Sequence, residues 1–437
     1  MNIENAIIYS ICVLSLGCRV KDAKSGDNNE HHITSGDIYS IVRDAPACNN
    51  NPSHSLCEMV DYSSDNTKFD PSAHHSTRIL IVDSASALGS SLRVRKMIKN
   101  RYTINNDGSY AESSISASIP RGLATIWESL ERNEQSLTPE LYQELRDAAE
   151  TKFMSAISFP YDHANSIIDI ISQYTPDSAL ILADLPNVQN LICESNVEGV
   201  KEYLSKASQN LKTIASSQEV EFINLSAGFS KKTLEKDIWQ GYCQKSQRMP
   251  PEISQAILKL QTGFIRNLSN LEGILLVQAG VSLKSEDQAN SDFAPSDCVT
   301  DGFLNRLRVG GYNSQDFKAT PDGKRLSDHL SILSATQKNA EKCTDLYVNS
   351  GLEKSFPYSP GEHFVAITNT GLGTYPIPFF PTSTAAPVAL SYLVHFKHTK
   401  YGEQQMTNHE VAEIMQHFRS SKLLLDPVRY NQFIKFD

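Results

Sequence analysis

Four short apolar runs constrain the fold of this chain more than any other feature. They lie at 78–83, 178–185, 220–228 and 273–280 and read RILIVD, SALILADL, VEFINLSAG and GILLVQAG. A continuous apolar run of this length is typical of a strand that is buried on both faces of a parallel sheet. Helical patterns separate the runs, namely DHANSIIDIISQY, EGVKEYLSKASQNLKTIASS and PPEISQAILKLQTGFIRNLSN. Strands that alternate with helices predict an α/β fold, a three-layer sandwich with a mainly parallel central sheet.

Composition indicates a large globular protein and disfavours nucleic acid as its main partner. The chain has 437 residues, 40% of them hydrophobic, which is enough for a sizeable core. Its formal net charge is -10, and no dense block of Lys and Arg occurs. An acidic chain without such a block is a poor match for a phosphate backbone.

The first 18 residues predict export. The apolar run at 6–16 is too short to span a bilayer but suits the core of a signal peptide. The stretch LSLGC, which ends at Cys18, resembles the lipobox of bacterial lipoproteins, in which the cysteine is lipidated after cleavage. We therefore expect a secreted, periplasmic or lipid-anchored protein of the cell envelope, attached to the membrane through Cys18 in the last case. A plain signal peptide or a buried strand remains an alternative.

The other cysteines are compatible with disulfides in an oxidising compartment. If Cys12 is removed and Cys18 is lipidated, an even number remains. These are Cys48, Cys57, Cys193, Cys243, Cys298 and Cys343. Cys48 and Cys57 are close enough in sequence to close a small loop, but the sequence does not fix the pairing.

Three regions follow from the pattern along the chain. Residues 19–76 are polar and have little periodicity, so we expect a tether or a short pro-like segment there. Residues 77–437 form the predicted main domain. Within it, 120–158 reads as a helical insertion, with Thr138 as the cap before Pro139.

The stretch PTSTAAPVALSYLVHF, residues 381–396, predicts a buried helix with a proline near its start. A helix interior excludes proline, whereas the first turn tolerates it. The helix is therefore expected to begin just before Pro387, with Thr382, Ser383 and Thr384 at its N-terminus. A hydroxyl in that place acts either as a cap or as a nucleophile.

Three residues stand at element ends in an order that suits nucleophilic catalysis. Asp83 ends the first strand, His163 opens a helix, and Ser383 opens the buried helix. A serine hydroxyl becomes a good nucleophile only when a histidine takes its proton, and a carboxylate must orient that histidine. The order Asp, His, Ser is one of the known chain orders of this triad.

These stretches resemble the subtilisin-like serine peptidase family. ILIVDSA resembles the strand that ends in the catalytic Asp, and DHANSIIDII resembles the helix that carries the catalytic His. PTSTAAP resembles the family's Gly-Thr-Ser-Met-Ala-Ala-Pro motif. LRVGGYNSQD and SPGEHFVAIT resemble two further family segments in the same order, so that the resemblance covers about 78–418. It implies that Asp83, His163 and Ser383 are catalytic.

The same resemblance implies a place for the substrate. FINLSAG resembles the strand after which Ser226, Ala227 and Gly228 bind the substrate backbone in an extended conformation. The oxyanion region would comprise Ser383, Gly280 and Val281.

The sequence departs from the family pattern in that region and in two motifs. Val281 stands where the family usually has the Asn that donates to the oxyanion. Pro381 and Ala164 replace glycines of the serine and histidine motifs. The missing donor would have to come from another side chain, such as Gln278 or Asn290.

No cofactor is predicted. Family members often bind calcium, but the chain has no dedicated calcium loop. A cluster of acidic residues at 286–297 reads as solvated loop; its members are Glu286, Asp287, Asp292 and Asp297. The pairs His31/His32 and His74/His75 lack further ligands at metal-binding spacing.

Two functions remain open. The first is a serine endopeptidase that acts on a peptide or protein through an acyl-enzyme intermediate. The second is an impaired relative that uses the same groove to bind peptide or protein without cutting it. An esterase on an α/β-hydrolase fold is disfavoured, because Ser383 has no GxSxG elbow around it and the order of the triad differs.

Overall fold

The structure is a computed structural model with side chains. It describes residues 40–64 except 42 and 49, then 69, 71, 75–83, 97–125 except 123, and 152. It also describes 163–280, 303–312, 345–349, 366–368, 371–373, 381–421 and 424–425.

The described residues form strands that we number in chain order. These are β1 (Met59–Ser64), β2 (Thr77–Asp83), β3 (Ile98–Ile104), β4 (Tyr110–Glu112), β5 (Ile115–Pro120), β6 (Ser178–Asp184), β7 (Phe222–Leu225), β8 (Leu275–Ala279), β9 (Arg306–Tyr312), β10 (Leu346–Asn349), β11 (Ala366–Thr368), β12 (Gly371–Gly373) and β13 (Leu424–Leu425). The four strands predicted from the apolar runs are confirmed as β2, β6, β7 and β8.

The helices of the described residues alternate with the strands as predicted. They are α1 (His163–Tyr174), α2 (Gln189–Cys193), α3 (Val197–Ser217), α4 (Pro251–Ser269), α5 (Pro381–Tyr401) and α6 (Asn408–Ser421), with a 3-10 helix at Ser55–Cys57 and a π-helix at Thr233–Tyr242. Among the described residues, none of these helices is long and apolar enough to cross a membrane.

Nine strands form one mixed, mainly parallel sheet, which confirms the predicted α/β fold. Their order across the sheet is β13-β10-β9-β8-β7-β2-β6-β3-β4. Neighbours run parallel except β3 and β4, which are antiparallel. From the central strand β2, the chain first builds β3 and β6 on one side and then crosses to β7 on the other. The junction of β2 and β7 is thus a topological switch point, beside whose carboxyl ends ligands usually bind in such sheets.

Helices cover both faces of the sheet, and the alternation along β2 separates two cores. Ile79 and Ile81 belong to the core under α1, α5 and α6. Leu80 and Val82 belong to the core under α3 and α4. β2 is therefore buried on both sides, which is why its sequence is apolar without alternation, and β6, β7 and β8 are buried in the same way.

Part of the segment expected to be a polar tether packs on the domain. β1 pairs antiparallel with β5, from Met59 opposite Pro120 to Ser64 opposite Ile115. A disulfide joins Cys48 to Cys57, and both cysteines are buried against the core under α1 and α5. A second disulfide joins Cys193, the last residue of α2, to Cys243 after the π-helix. Most of the predicted helical insertion, Thr138 and Pro139 included, lies outside the described residues.

The buried helix begins earlier than predicted. α5 starts at Pro381, so that Pro387 is an interior residue of the helix. Pro381 occupies the first helical position, which favours proline. The predicted start placed Pro387 in the first turn because an interior proline costs a backbone hydrogen bond; the structure replaces that bond, as described below.

An ion pair buried between α5 and β7 fixes one end of the helix. Lys397 Nζ lies 2.9 Å from Glu221 Oε2, and the two side chains are 0% and 6% exposed. Burial raises the pKa of Glu221, and the neighbouring Lys397 opposes that shift. A charge in so dry a place is tolerable only with its partner.

Removing one partner of this pair is expected to destabilise the protein strongly. Lys397→Met keeps the side-chain volume but leaves Glu221 unpaired, and we expect a loss of about 3 to 5 kcal/mol in the free energy of unfolding. Lys400→Met is the matched control, because Lys400 pairs with Glu413 on the surface at 3.5 Å. The control should lose no more than about 1 kcal/mol. Urea unfolding followed by circular dichroism measures both, and equal losses would contradict the role given to the buried pair.

Candidate active site

Ser383 lies in the first turn of α5 and is partly buried. Its Oγ donates to the carbonyl of Ser226 at 3.2 Å, and Ser226 Oγ in turn donates to the carbonyl of Ser383 at 3.0 Å. Ser226 directly follows Leu225, the last residue of β7. The predicted nucleophile and the first predicted substrate-binding residue are therefore in direct contact.

The direction of α5 brings Ser383 level with Asp83. Near the other end of the helix, His398 Nε2 lies 2.7 Å from Oγ1 of Thr77, the first residue of β2. Between Thr77 and Asp83 the strand rises about 20 Å, and between His398 and Ser383 the helix rises about 22 Å. α5 therefore runs antiparallel to β2 and begins at the carboxyl edge of the sheet.

α1 packs against α5 and, because it ends at Tyr174 shortly before β6 begins at Ser178, it runs along the sheet in the same direction as α5. His395 Nε2 of α5 donates to the carbonyl of Tyr174, the last residue of α1, at 2.6 Å. Measured from this contact toward the N-terminus of each helix, His163 lies about 17 Å away along α1 and Ser383 about 18 Å away along α5. The backbone of His163 is thus placed at the same edge as Ser383, while the side chain of His163 lies outside what the structure describes.

Asp83 is 5% exposed and ends β2 at that edge. By the alternation along the strand it shares a face with Ile79 and Ile81, the face that α1 and α5 cover. Its backbone carbonyl accepts a hydrogen bond from the amide of Leu185 at 2.8 Å. Asp83 therefore combines the depth and the face that a histidine-orienting carboxylate needs.

A second carboxylate lies beside it, in register, and has a different environment. Asp184 ends β6 and pairs with Asp83 across the sheet. Arg101 donates to Asp184 Oδ1 at 2.8 Å, and the amide of Ile104 donates to Oδ2 at 3.2 Å. Both carboxylate oxygens of Asp184 therefore have structural donors, and its environment is that of a structural residue.

The predicted substrate segment passes from buried to exposed over three residues. Ser226 is buried, Ala227 is partly buried and Gly228 is exposed. Gln278 Nε2 donates to the carbonyl of Ala227 at 3.1 Å, and its Oε1 accepts from Arg306 at 3.2 Å. The side chain of Gln278 thus ties the backbone of this segment to β8 at Ala227.

The described part of the predicted oxyanion region comprises Gly280 and Ser383. The amide of Gly280 donates to the carbonyl of Val309 at 2.7 Å and so belongs to the sheet. Gln278, one of the two side chains considered as a replacement donor, is directed at Ala227 instead. Val281 and Asn290 lie outside the described residues. The backbone amide of Ser383 lies in the first turn of α5, where the helix dipole favours negative charge.

Two functional neighbours were not predicted from the sequence in these roles. Asn224 is 0% exposed, and its Oδ1 lies 2.9 Å from Ser226 Oγ. Gln278 is also 0% exposed and supports Ala227, whereas the sequence suggested it as an oxyanion donor. Both amides interrupt otherwise apolar strands, and a buried amide in such a run is the signal that could have identified them.

No group of three or more potential metal ligands occurs within the described part of the chain. The predictions for Cys18, His31, His32, His74 and the acidic residues of 286–297 concern residues outside that part.

Comparison with known proteins adds no relative to these observations. No protein-family model, curated protein or solved structure matches the chain.

Gln278 is expected to hold the substrate segment in place. Gln278→Leu has a similar volume but leaves the carbonyl of Ala227 and the guanidinium of Arg306 without their amide partner. We expect a loss of about 2 to 3 kcal/mol in the free energy of unfolding and faster hydrogen exchange at 226–228. Gln209→Leu, at an exposed position on α3, is the control and should change neither. Unchanged exchange at 226–228 in the Gln278 variant would contradict the role of Gln278.

Proposed function

We propose that the protein is a subtilisin-like serine endopeptidase in which Ser383 is the nucleophile, His163 the general base and Asp83 the residue that orients His163. One observation carries this proposal. The helices α1 and α5 begin, and the strand β2 ends, at the same edge of the sheet. His163, Ser383 and Asp83 lie at these ends, and they are the three residue types that the reaction needs. That edge is also the switch point of the sheet, the usual place for a ligand.

The reaction follows from the roles of the three residues. The Ser383 hydroxyl, which donates to the Ser226 carbonyl in the free protein, first turns its hydrogen to His163. Ser383 Oγ then attacks the scissile carbonyl carbon while His163 takes that proton, and Asp83 stabilises the imidazolium that results. His163 then gives the proton to the leaving amine, and the peptide C–N bond breaks to leave an acyl group on Ser383. Water, deprotonated by His163, attacks this ester and releases the acid and the free serine.

The peptide substrate would add as a strand along 226–228. Gly228 is exposed and offers its backbone groups for such pairing, whereas Ser226 is buried and its carbonyl already accepts from Ser383 Oγ. Such pairing uses main-chain hydrogen bonds for affinity and leaves specificity to side-chain pockets. The segment lies next to Ser383, because Ser226 donates one hydrogen bond to Ser383 and accepts another from it.

A binding module without cleavage is the second candidate, and the oxyanion region favours it. The amide of Gly280 is bonded to Val309, and Val281 cannot donate through its side chain. Loss of one oxyanion donor typically lowers turnover by about 10²- to 10³-fold. An enzyme with this defect would be slow, and a protein that only holds peptides would tolerate it fully.

We also propose that the protein is exported. The two disulfides, Cys48–Cys57 and Cys193–Cys243, support an oxidising compartment. Attachment through a lipid on Cys18 remains part of this proposal.

Labelling with a fluorophosphonate probe tests the nucleophile. We expect the purified wild type to be labelled, and Ser383→Ala and His163→Ala to lose labelling by at least about 10³-fold, because each removes one half of the activated pair. Thr384→Ala, which removes the hydroxyl one position further along the same turn, is the control and should retain labelling. Circular dichroism verifies that all variants fold.

Peptide binding then separates the two candidates. A folded wild type that binds peptides but takes up no probe would refute the peptidase and favour the binding module. Label that persists in Ser383→Ala would refute the assignment of the nucleophile.

The two neighbouring carboxylates make a second test. Asp83→Asn should lower the rate of probe labelling by about 10³- to 10⁴-fold, because an amide stabilises the wrong tautomer of the histidine. Asp184→Asn should lower the protein's stability, since it weakens the pair with Arg101, while the labelling rate stays within about threefold of wild type. The opposite pattern in the labelling rates would assign the catalytic role to Asp184.

A further inference from the structure

The carbonyl of Ser383 has no backbone donor at the usual place in the helix. In an α-helix this carbonyl accepts from the amide four residues later, and that residue is Pro387. Proline has no N–H, so the bond cannot form. The carbonyl of the residue proposed as the nucleophile therefore lacks its regular helical hydrogen bond.

Ser226 supplies the missing donor. Its Oγ lies 3.0 Å from the Ser383 carbonyl, and it is buried with 4% exposure. The contact is reciprocal, because Ser383 Oγ donates to the carbonyl of Ser226 at 3.2 Å. Two hydrogen bonds thus join the first turn of α5 to the end of β7.

Asn224 orients the hydroxyl of Ser226. Two oxygens face that hydroxyl, Asn224 Oδ1 at 2.9 Å and the Ser383 carbonyl at 3.0 Å, but the hydroxyl has one hydrogen. Within the described residues, Asn224 Nδ2 is buried without a hydrogen-bond partner. Rotating the amide by 180° exchanges its nitrogen and oxygen, so that Asn224 donates to Ser226 Oγ and Ser226 donates to Ser383. Both contacts then have one hydrogen each.

We propose that Asn224 and Ser226 are positioning residues for Ser383, acting through a hydrogen-bond chain that replaces the backbone donor lost at Pro387. This inference rests on the proposed function, since it concerns how the proposed nucleophile is held. Neither residue takes part in bond making. This hydrogen-bond chain fixes the carbonyl of Ser383. It thereby also fixes the directions of Ser383 Oγ and of the backbone amides in the first turn of α5.

Labelling rates with the fluorophosphonate probe test whether the hydrogen-bond chain from Asn224 through Ser226 positions Ser383. Ser226→Ala should react about tenfold to a hundredfold more slowly than wild type, because small displacements of a reacting group have effects of that size. Asn224→Leu, which keeps the volume and removes the donor, should react several times more slowly. Ser391→Ala is the matched control, since Ser391 also donates from a buried hydroxyl to a carbonyl of α5, that of Pro387 at 2.9 Å. It should react at the wild-type rate.

Rescue separates positioning from a general loss of stability. Pro387→Ala restores an N–H that can hold the Ser383 carbonyl, so in that background the further change Ser226→Ala should slow labelling by less than about threefold. A Ser226→Ala variant that folds and reacts at the wild-type rate would overturn the proposal. An equal slowing of labelling by Ser226→Ala in the wild-type and Pro387→Ala backgrounds would also overturn it.

The proposed function fails separately, by a wild type that takes up no probe. In that case the urea midpoints of the wild type, Ser226→Ala, Pro387→Ala and the double variant decide whether Ser226 bonds the Ser383 carbonyl. If Ser226→Ala lowers the urea midpoint less in the Pro387→Ala background than in the wild type, the hydrogen-bond chain is supported. Equal decreases in the midpoint would refute it.

Discussion

Helix α5 is held against β7 at both of its ends, and the arrangement of the site depends on this constraint. At one end the buried Lys397 pairs with Glu221 where β7 begins, and at the other Ser383 and Ser226 exchange hydrogen bonds where it ends. Because the rise per residue of a helix and of a strand is fixed, two such contacts leave the helix no freedom to slide. The small hydroxyl residues of its first turn are thereby placed at the carboxyl edge of the sheet, next to the point where the chain order reverses.

The same constraint explains why a proline is tolerated inside the helix. Pro387 removes a bond that the interior of a helix normally needs, and the hydroxyl of Ser226 restores it from the neighbouring strand. The replacement ties the helix to the sheet, whereas an ordinary helical bond would tie it only to itself. A residue that looks unfavourable locally thus becomes favourable in the tertiary structure, and it does so beside the hydroxyl for which we propose a catalytic role.

The sequence was sufficient for the parts of the fold that depend on local pattern. The strands β2, β6, β7 and β8 and the helices α1, α3 and α4 follow from apolar runs and helical periodicity. Contacts between distant segments have no such signature. The pairing of β1 with β5, the disulfide between Cys193 and Cys243 and the start of α5 at Pro381 all depend on partners that local pattern does not identify. For the candidate site, the pattern indicated Asp83, His163 and Ser383, and it suggested Gln278 only as an oxyanion donor. It did not indicate the contacts of Asn224 with Ser226 and of Gln278 with Ala227, because these join residues whose proximity local pattern does not reveal.

The most direct test of the proposed triad is a crystal structure of the protein after reaction with a small organophosphonate. We expect phosphorus bonded to Ser383 Oγ, with the imidazole of His163 within hydrogen-bonding distance of that oxygen and of Asp83. A structure in which the three side chains lie apart, or in which the phosphorus is attached to another residue, would contradict it.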